Sequence, residues 1–325
     1  MSRRKAPVFA IPAADRDRLS KALGDTPAIM VKWFFQHRGL PQYLGASKET
    51  ITDRFLGHIG TEELSLDDAY DAVRQFYEYG AKEVRLYQVD PSHLRRVPGD
   101  LREARIERLG HARIRRQPIA TIVNYSHFQD GLLRISFSEK HEDLVLDVPR
   151  EQFIWRPRTA IVVAHGSAKT GDLDVALDRP GRRHPHGVSA MSYYDYHLGR
   201  ISDLLGTQLT PVDLRRLIER LEKGELASLS RSEGKSDTSR IRFVASGGID
   251  VRQDPLYGKF VDERRTADAA ALEWKPGPSG EEDEPPRIAR IVKTKIEVRT
   301  SAVHFVQGTL EHEAEYVIEM VRANA

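Results

Sequence analysis

The 325-residue chain contains no cysteine. That excludes disulfides, thiolate zinc sites and cysteine nucleophiles, and it fits a reducing compartment. No stretch approaches the ~20 consecutive apolar residues of a membrane-spanning helix, so no membrane association is expected. The start, MSRRKAPVFAIPAADRDR, is basic, but its apolar run is too short for the core of a secretion signal, and Asp15 and Asp17 follow closely. The expected location is the cytoplasm, or the nucleus in a eukaryotic source. Neither a G-x-G-x-x-G turn nor a Walker A loop occurs, which argues against a nucleotide-driven motor. No internal repeat is present.

What the chain does contain is the balance of a folded protein: 40% apolar and 30% charged residues. Its length suits about two domains with a sizeable core. The net charge of +2 conceals a segregation. Residues 1–50 carry five positive charges in excess, residues 51–100 four negative ones and residues 301–325 three negative ones. Residues 94–117 hold eight arginines (Arg95, Arg96, Arg102, Arg105, Arg108, Arg113, Arg115 and Arg116) against Asp100, Glu103 and Glu107.

That run separates two unlike halves. Before it, apolar residues recur at helical spacing. Helices are predicted over residues 14–23, 28–36 and 48–58, the last capped by Ser47 and followed by Gly60. A further one starts at Ser65, with Asp67 and Asp68 in its first turn. VRLYQV then alternates as a short strand. Leu101, Ile106 and Leu109 fall at roughly helical spacing, so an exposed helix is expected inside the run.

From residue 118 the pattern is of strands. IATIVNYSHF and GLLRISFSE flank Gln129-Asp130-Gly131, a hairpin turn. Further strands are expected in DLVLDV, TAIVVAH, LDVALD, IRFVAS, AALEW, RIVKTKIEVRT and AVHFVQ. Two helices interrupt them, over residues 188–205 and from Thr210-Pro211-Val212-Asp213, which reads as a cap with proline at the first helical position. Residues 224–240 are Ser-rich and read as a linker. Residues 275–286 read as an acidic loop, and Thr309 as the cap of a terminal helix. The fold class is thus α+β. A helical bundle (1–90) and an arginine-rich connector (91–117) precede a mostly antiparallel β domain (118–325) with helices near 188–223.

The arginine run carries the main functional expectation. Arginine matches phosphate oxygens bidentately, and each neutralised phosphate releases counterions. The bland alternative is a solvated connector whose arginines pair with Glu62, Glu63, Asp67 and Asp68. In the front half, VKWFFQHRGLPQYLGASKETITDRFLGHI has the order helix, Gly-Leu-Pro turn, Gly, Lys, helix. It resembles the SAP module, a helix–extended–helix DNA-binding element, at Gly39, Leu40, Pro41, Gly45, Lys48, Ile51 and Leu56; the resemblance implies that Lys48 and its neighbours face DNA. Residues 47–91 are also similar in layout to the helical front of the CENP-N kinetochore family, which has a β-rich rear half and contacts DNA and histone.

The leading expectation is therefore a non-catalytic nucleic-acid binder acting within a larger assembly. Its expected ligand is duplex DNA, protein partners accompany it, and no cofactor is called for. Contacts are assigned to Lys32, Arg38, Lys48 and Arg54 in front, and to Arg95, Arg96, Arg102, Arg105, Arg113, Arg115 and Arg116 behind. One alternative is a metal-dependent nuclease: Asp250 or Asp254 with Glu273-Trp274-Lys275 resembles the D…(D/E)-x-K pattern of restriction-type nucleases, in which two carboxylates hold a divalent ion and a lysine orients water. The other is a protein-interaction subunit. His184, His186, Asp195 and His197 match no metal-ligand spacing, and His197 reads as a core histidine. In His165-Gly166-Ser167 no nucleophile elbow is formed.

Overall fold

The computed structural model describes residues 11–40, 46–61, 63–80, 82–97, 106–108, 120–147, 152–178, 190–224, 227–236, 239–244, 249–264, 266–275, 288 and 290–325. Two compact units emerge.

The helical unit comprises residues Met1–Ala81, Glu273–Lys293 and Phe305–Arg322. Its helices are α1 (Ala13–Asp25), α2 (Ala28–His37), α3 (Lys48–His58) and α4 (Leu66–Glu78), with most of α9 (Glu311–Asn324). The ends are fixed locally. The Ser47 hydroxyl accepts the Thr50 N–H at 3.2 Å. Ser65 and Asp68 form a reciprocal capping box, which satisfies two otherwise orphaned N–H groups. Gly60, at φ 81°, takes the left-handed turn after α3. Phe34, Phe35, Phe55 and Phe76 fill the core, with Phe34 meeting Phe76 edge-on at 5.8 Å. Leu310, at 3% exposure, belongs to the same cluster. The front helices therefore share their core with a residue more than two hundred positions later, a link that an independent front domain of residues 1–90 would lack.

The strand-rich unit comprises Lys82–Leu272, Thr294–His304 and Ala323–Ala325. Its strands are β1 (Lys82–Gln88), β2 (Ile106–Arg108), β3 (Ala120–Gln129), β4 (Leu132–Asp147), β5 (Gln152–Ser167), β6 (Asp172–Asp178), β7 (Thr210–Pro211), β8 (Ala227–Lys235) and β9 (Arg240–Val244), with the greater part of β10 (Thr266–Trp274), β11 (Val292–Glu297) and β12 (Ala302–Phe305). The sheet order is β2-β3-β4-β5-β6-β1-β12-β11-β10-β8-β9, with β7 paired to β1. β1, first in sequence, lies mid-sheet, antiparallel to both β6 and β12. The fold is α+β with an antiparallel sheet, as the sequence pattern predicts. Asp130 and Gly131 have φ of 53° and 81°, the positive values that a two-residue hairpin of type I′ requires. Helices α5 (Pro91–Arg96), α6 (Ala190–Leu205), α7 (Arg215–Lys223) and α8 (Tyr257–Glu263) complete the unit. Leu133, Ile135, Phe137, Leu173, Val175, Tyr194 and Ile201 share one buried cluster.

Four local expectations are corrected. Residues 106–108 pair with β3 as a strand, not as part of a helix. Thr210–Pro211 pairs with Gln88 and Tyr87; α7 starts later, where the Arg215 N–H donates to Asp213 Oδ1 at 3.0 Å. The Ser-rich stretch is largely strand β8, because its polar side chains find buried partners: Ser232 is 0% and Glu233 2% exposed. Thr309 does not cap α9. Its hydroxyl donates to the Gln307 carbonyl, and the Leu310 N–H is taken by the Glu313 carboxylate at 3.0 Å.

Candidate nucleic-acid interface

In the helical unit the expected cations are already engaged or partly covered. Lys32 is half-buried on α2. Arg38, at the end of α2, pairs with Asp68 at 3.2 Å and lies over the Phe34 ring at 5.6 Å. Lys48 donates to the Gly24 carbonyl, joining α3 to the end of α1. Arg54 is exposed on α3. Of the arginine run, Arg95 and Arg96 stand at the end of α5, whose start is capped by Asp90 ahead of Pro91. Arg95 donates to the Ala168 carbonyl at 2.8 Å, and Arg96 is exposed. Arg102, Arg105, Arg113, Arg115 and Arg116 lie outside the described residues, as do His184 and His186.

The nuclease-like residues have other occupations. Asp250 accepts from the Leu229 N–H, from the Arg252 N–H and twice from the Arg252 guanidinium. These bonds hold its carboxyl below the usual range against the opposing effect of burial. It fastens the short 3-10 turn Val251–Gln253 onto β8. Glu273 pairs with Lys293 at 2.7 Å, Asp254 accepts from the Leu256 N–H, and Lys275 is exposed at the strand end. His197 is buried on α6, at 1% exposure. Among the described residues no three His, Asp or Glu side chains are grouped to hold a metal ion.

A basic cleft of about 470 Å3 opens instead on the strand-rich unit. Arg215 at the start of α7, Lys235 at the end of β8, Arg240 at the start of β9 and Arg299 after β11 supply its cations. Thr266, Asp268 and Glu297 supply the other polar groups. Arg215 has a loose partner, Asp213 at 3.7 Å, with both side chains about two-thirds exposed. Glu297 is engaged from behind. The His304 imidazole, then Lys295 and the Thr300 hydroxyl, hold its carboxyl down to about 2 despite burial. His304 also stands 3.3 Å from Glu83, which bonds Arg85 at 2.8 Å.

Beside the cleft, the β8–β9 hairpin gathers three arginines on one carboxylate. Buried Glu233 lies 3.4 Å from Arg231, 3.0 Å from Arg240 and 3.2 Å from Arg242. A second buried carboxylate, Glu222, is matched one to one. Arg264 bonds it through both terminal nitrogens at 2.6 Å, and the Ser232 and Tyr257 hydroxyls complete it at 2.8 Å. The Arg264 stem crosses Gly234 so closely that a Cβ there would meet it at 2.0 Å, which is why the strand needs glycine at that point.

Arg215, Lys235, Arg240 and Arg299 are not among the cations expected from the sequence. A signal was present: Arg231-x-Glu233-x-Lys235 and Arg240-x-Arg242 alternate, which puts the charges of each strand on one face. The serines between them suggested a linker. No family model and no curated protein matches the chain. Among the described residues no helix is long and apolar enough to cross a membrane.

Proposed function

We propose that the chain binds nucleic acid through the phosphate backbone, without catalysing a reaction, and that the basic cleft of the strand-rich unit is its main contact surface. The observation that supports this is the cleft lining. Among the described residues four cations and two carboxylates line it, and Glu297 is already engaged by His304 and Lys295. Among the described residues the cleft lining includes no aromatic side chain on which a base could stack. Contacts of this kind position a nucleic acid but do not read its bases, so duplex DNA of any sequence is the expected ligand. The arginine run would add to the chain's attraction for a polyanion, and protein partners within a larger assembly would supply target selection.

The test is a fluorescence-anisotropy titration of a labelled 20-base-pair duplex at several salt concentrations. Engagement of three or four phosphates gives a slope of log K against log salt of about −3 to −4. Arg215→Glu with Arg299→Glu should weaken binding of every sequence alike and flatten that slope, with an unchanged circular dichroism spectrum, since both side chains are exposed. A triple change at Arg113, Arg115 and Arg116 to Glu measures the arginine run separately. Equal affinity of the Arg215/Arg299 variant and the unaltered protein would remove the cleft from the contact surface. Absence of binding at low salt would leave a protein-interaction subunit as the reading.

A further inference from the structure

We infer that Glu233 is a positioning residue that assembles Arg231, Arg240 and Arg242 into a clamp for neighbouring phosphates of one nucleic-acid strand. The inference rests on the phosphate-binding reading above and adds to it the groups that grip and the group that holds them in place.

The hairpin register comes first. Glu233 is paired with Arg242, Lys235 with Arg240, and Arg231 with Val244. Residues opposite one another, and residues two apart on a strand, share a face. Arg231, Lys235, Arg240 and Arg242 therefore surround Glu233 on one face of the hairpin. Positions two apart on a strand stand ~6.8 Å apart and opposite positions about 5 Å apart. Those intervals are comparable with the step between successive phosphates of one strand.

Charge count comes next. One carboxylate neutralises one guanidinium; three are within ion-pair distance of Glu233. The Glu222–Arg264 pair in the same unit shows what a purely structural buried carboxylate looks like, with one arginine and neutral hydroxyls. Among the described residues Glu233 is the carboxylate within ion-pair distance of Arg231, Arg240 and Arg242, so it leaves two of their three charges unbalanced, and Lys235 stands on the same face. Like charges gathered this closely repel one another, and a polyanion laid across them removes the repulsion. Donor count agrees. Each guanidinium carries five N–H donors, and Glu233 offers two oxygens. The Arg240 and Arg242 side chains are 57% and 58% exposed, so most of their donors face solvent. Protection of an edge strand is the ordinary reason for cations on β9, but it does not call for a buried glutamate that draws three arginines together.

The experiment exploits a conflict of sign. Glu233→Gln raises the net charge by one, so charge alone predicts tighter binding of duplex DNA. A positioning role predicts weaker binding, by about tenfold, with the salt slope nearly retained because the cations are still present. The second variant, Arg231→Ala with Arg242→Ala, lies outside the cleft lining, keeps Glu233 paired to Arg240, and should make the slope shallower by about two. Anisotropy titrations of both variants and the unaltered protein, with thermal melts as control, give the answer. Tighter binding by Glu233→Gln overturns the positioning role. If that variant does not fold, the arginine pair decides: an unchanged slope overturns the clamp and leaves the cleft reading intact. Failure of the unaltered protein to bind DNA overturns both.

Discussion

Arg74 in the helical unit and Glu233 in the strand-rich unit are mirror images. Arg74 is one cation among three acids, Asp71, Glu78 and Glu311; Glu233 is one acid among three cations. Helix geometry places acids three and four residues from Arg74 on its own face, and α9 adds the third. Strand geometry stacks like charges two residues apart on a single face, and the partner strand doubles them. The chain's small net charge of +2 thus conceals clusters of opposite sign. Local geometry, more than composition, sets where charge of one sign collects.

The comparison is broken most strongly by removing a matched partner. Glu222→Ala strands a guanidinium that is 5% exposed and leaves the Ser232 and Tyr257 hydroxyls without their acceptor. Loss of one member of a buried pair costs about 3–5 kcal/mol. Hydrogen exchange followed by mass spectrometry should show faster exchange in β8, α7 and α8, with α1–α4 unchanged. Equal acceleration in both regions would mean that the two units unfold as one, and that their different charge patterns have no separate consequence for stability.

How legible these patterns were in the sequence follows from the same geometry. Ser47 and Ser65 announced α3 and α4 because a cap is a local device. The fold class was legible from the change of apolar period near residue 118, and Asp130-Gly131 announced its hairpin. Where polar residues are buried through long-range partners, the sequence misled. Ser232 and Glu233 look like solvent-exposed residues until Arg264, Glu222 and the arginines of β9 are placed beside them. The contribution of Leu310 to the helical core was equally hidden, since nothing near it in sequence refers to α2 or α3. Of the candidate site, the sequence pointed to the arginines of residues 94–117, whereas the cleft is lined by Arg215, Lys235, Arg240 and Arg299, which stand apart in the sequence and come together only in the fold.

Acid sharpens the contrast, with a smaller effect. In the strand-rich unit the Glu297 carboxyl is held at about 2, against an ordinary value of 4.5, and Glu222 is held low chiefly by Arg264 against burial. A carboxylate with a depressed folded value contributes stability that is complete above 4.5 and is lost as pH falls through the folded value. For Glu297 that window runs from about 4.5 to about 2. Glu313 in α9 behaves oppositely. Burial pushes it up more strongly than Arg290 pulls it down, so its contribution is complete below 4.5 and is lost as pH rises through the folded value. Asp68, held low by Ser65, titrates with the first group, so the helical unit is best read at residues 311–324. Between pH 5 and about 2, exchange should accelerate in β11 and β12 before it does in α9. The reverse order would show that the Arg290–Glu313 pair, at 2.7 Å, governs the acid response instead.

The smallest expected effects separate a cap from a surface pair on the same helix. Ser65→Ala removes the acceptor for the Asp68 N–H and the anchor for its carboxylate, a loss of about 1 kcal/mol in urea unfolding. Arg38→Ala removes a pair whose side chains are 42% and 43% exposed. Such pairs contribute roughly 0–1 kcal/mol, because water and salt screen them and both side chains lose freedom to form them. Arg38 is also one of the cations for which the sequence raises the expectation of DNA contact, so the same variant tests the location of the proposed contact surface. With the cleft as the main surface, Arg38→Ala should leave both the affinity for duplex DNA and its salt slope as they were. Each phosphate contact contributes about 0.9 to that slope, so a slope shallower by about one would return Arg38 and the helical front to the contact surface, at the expense of the hairpin.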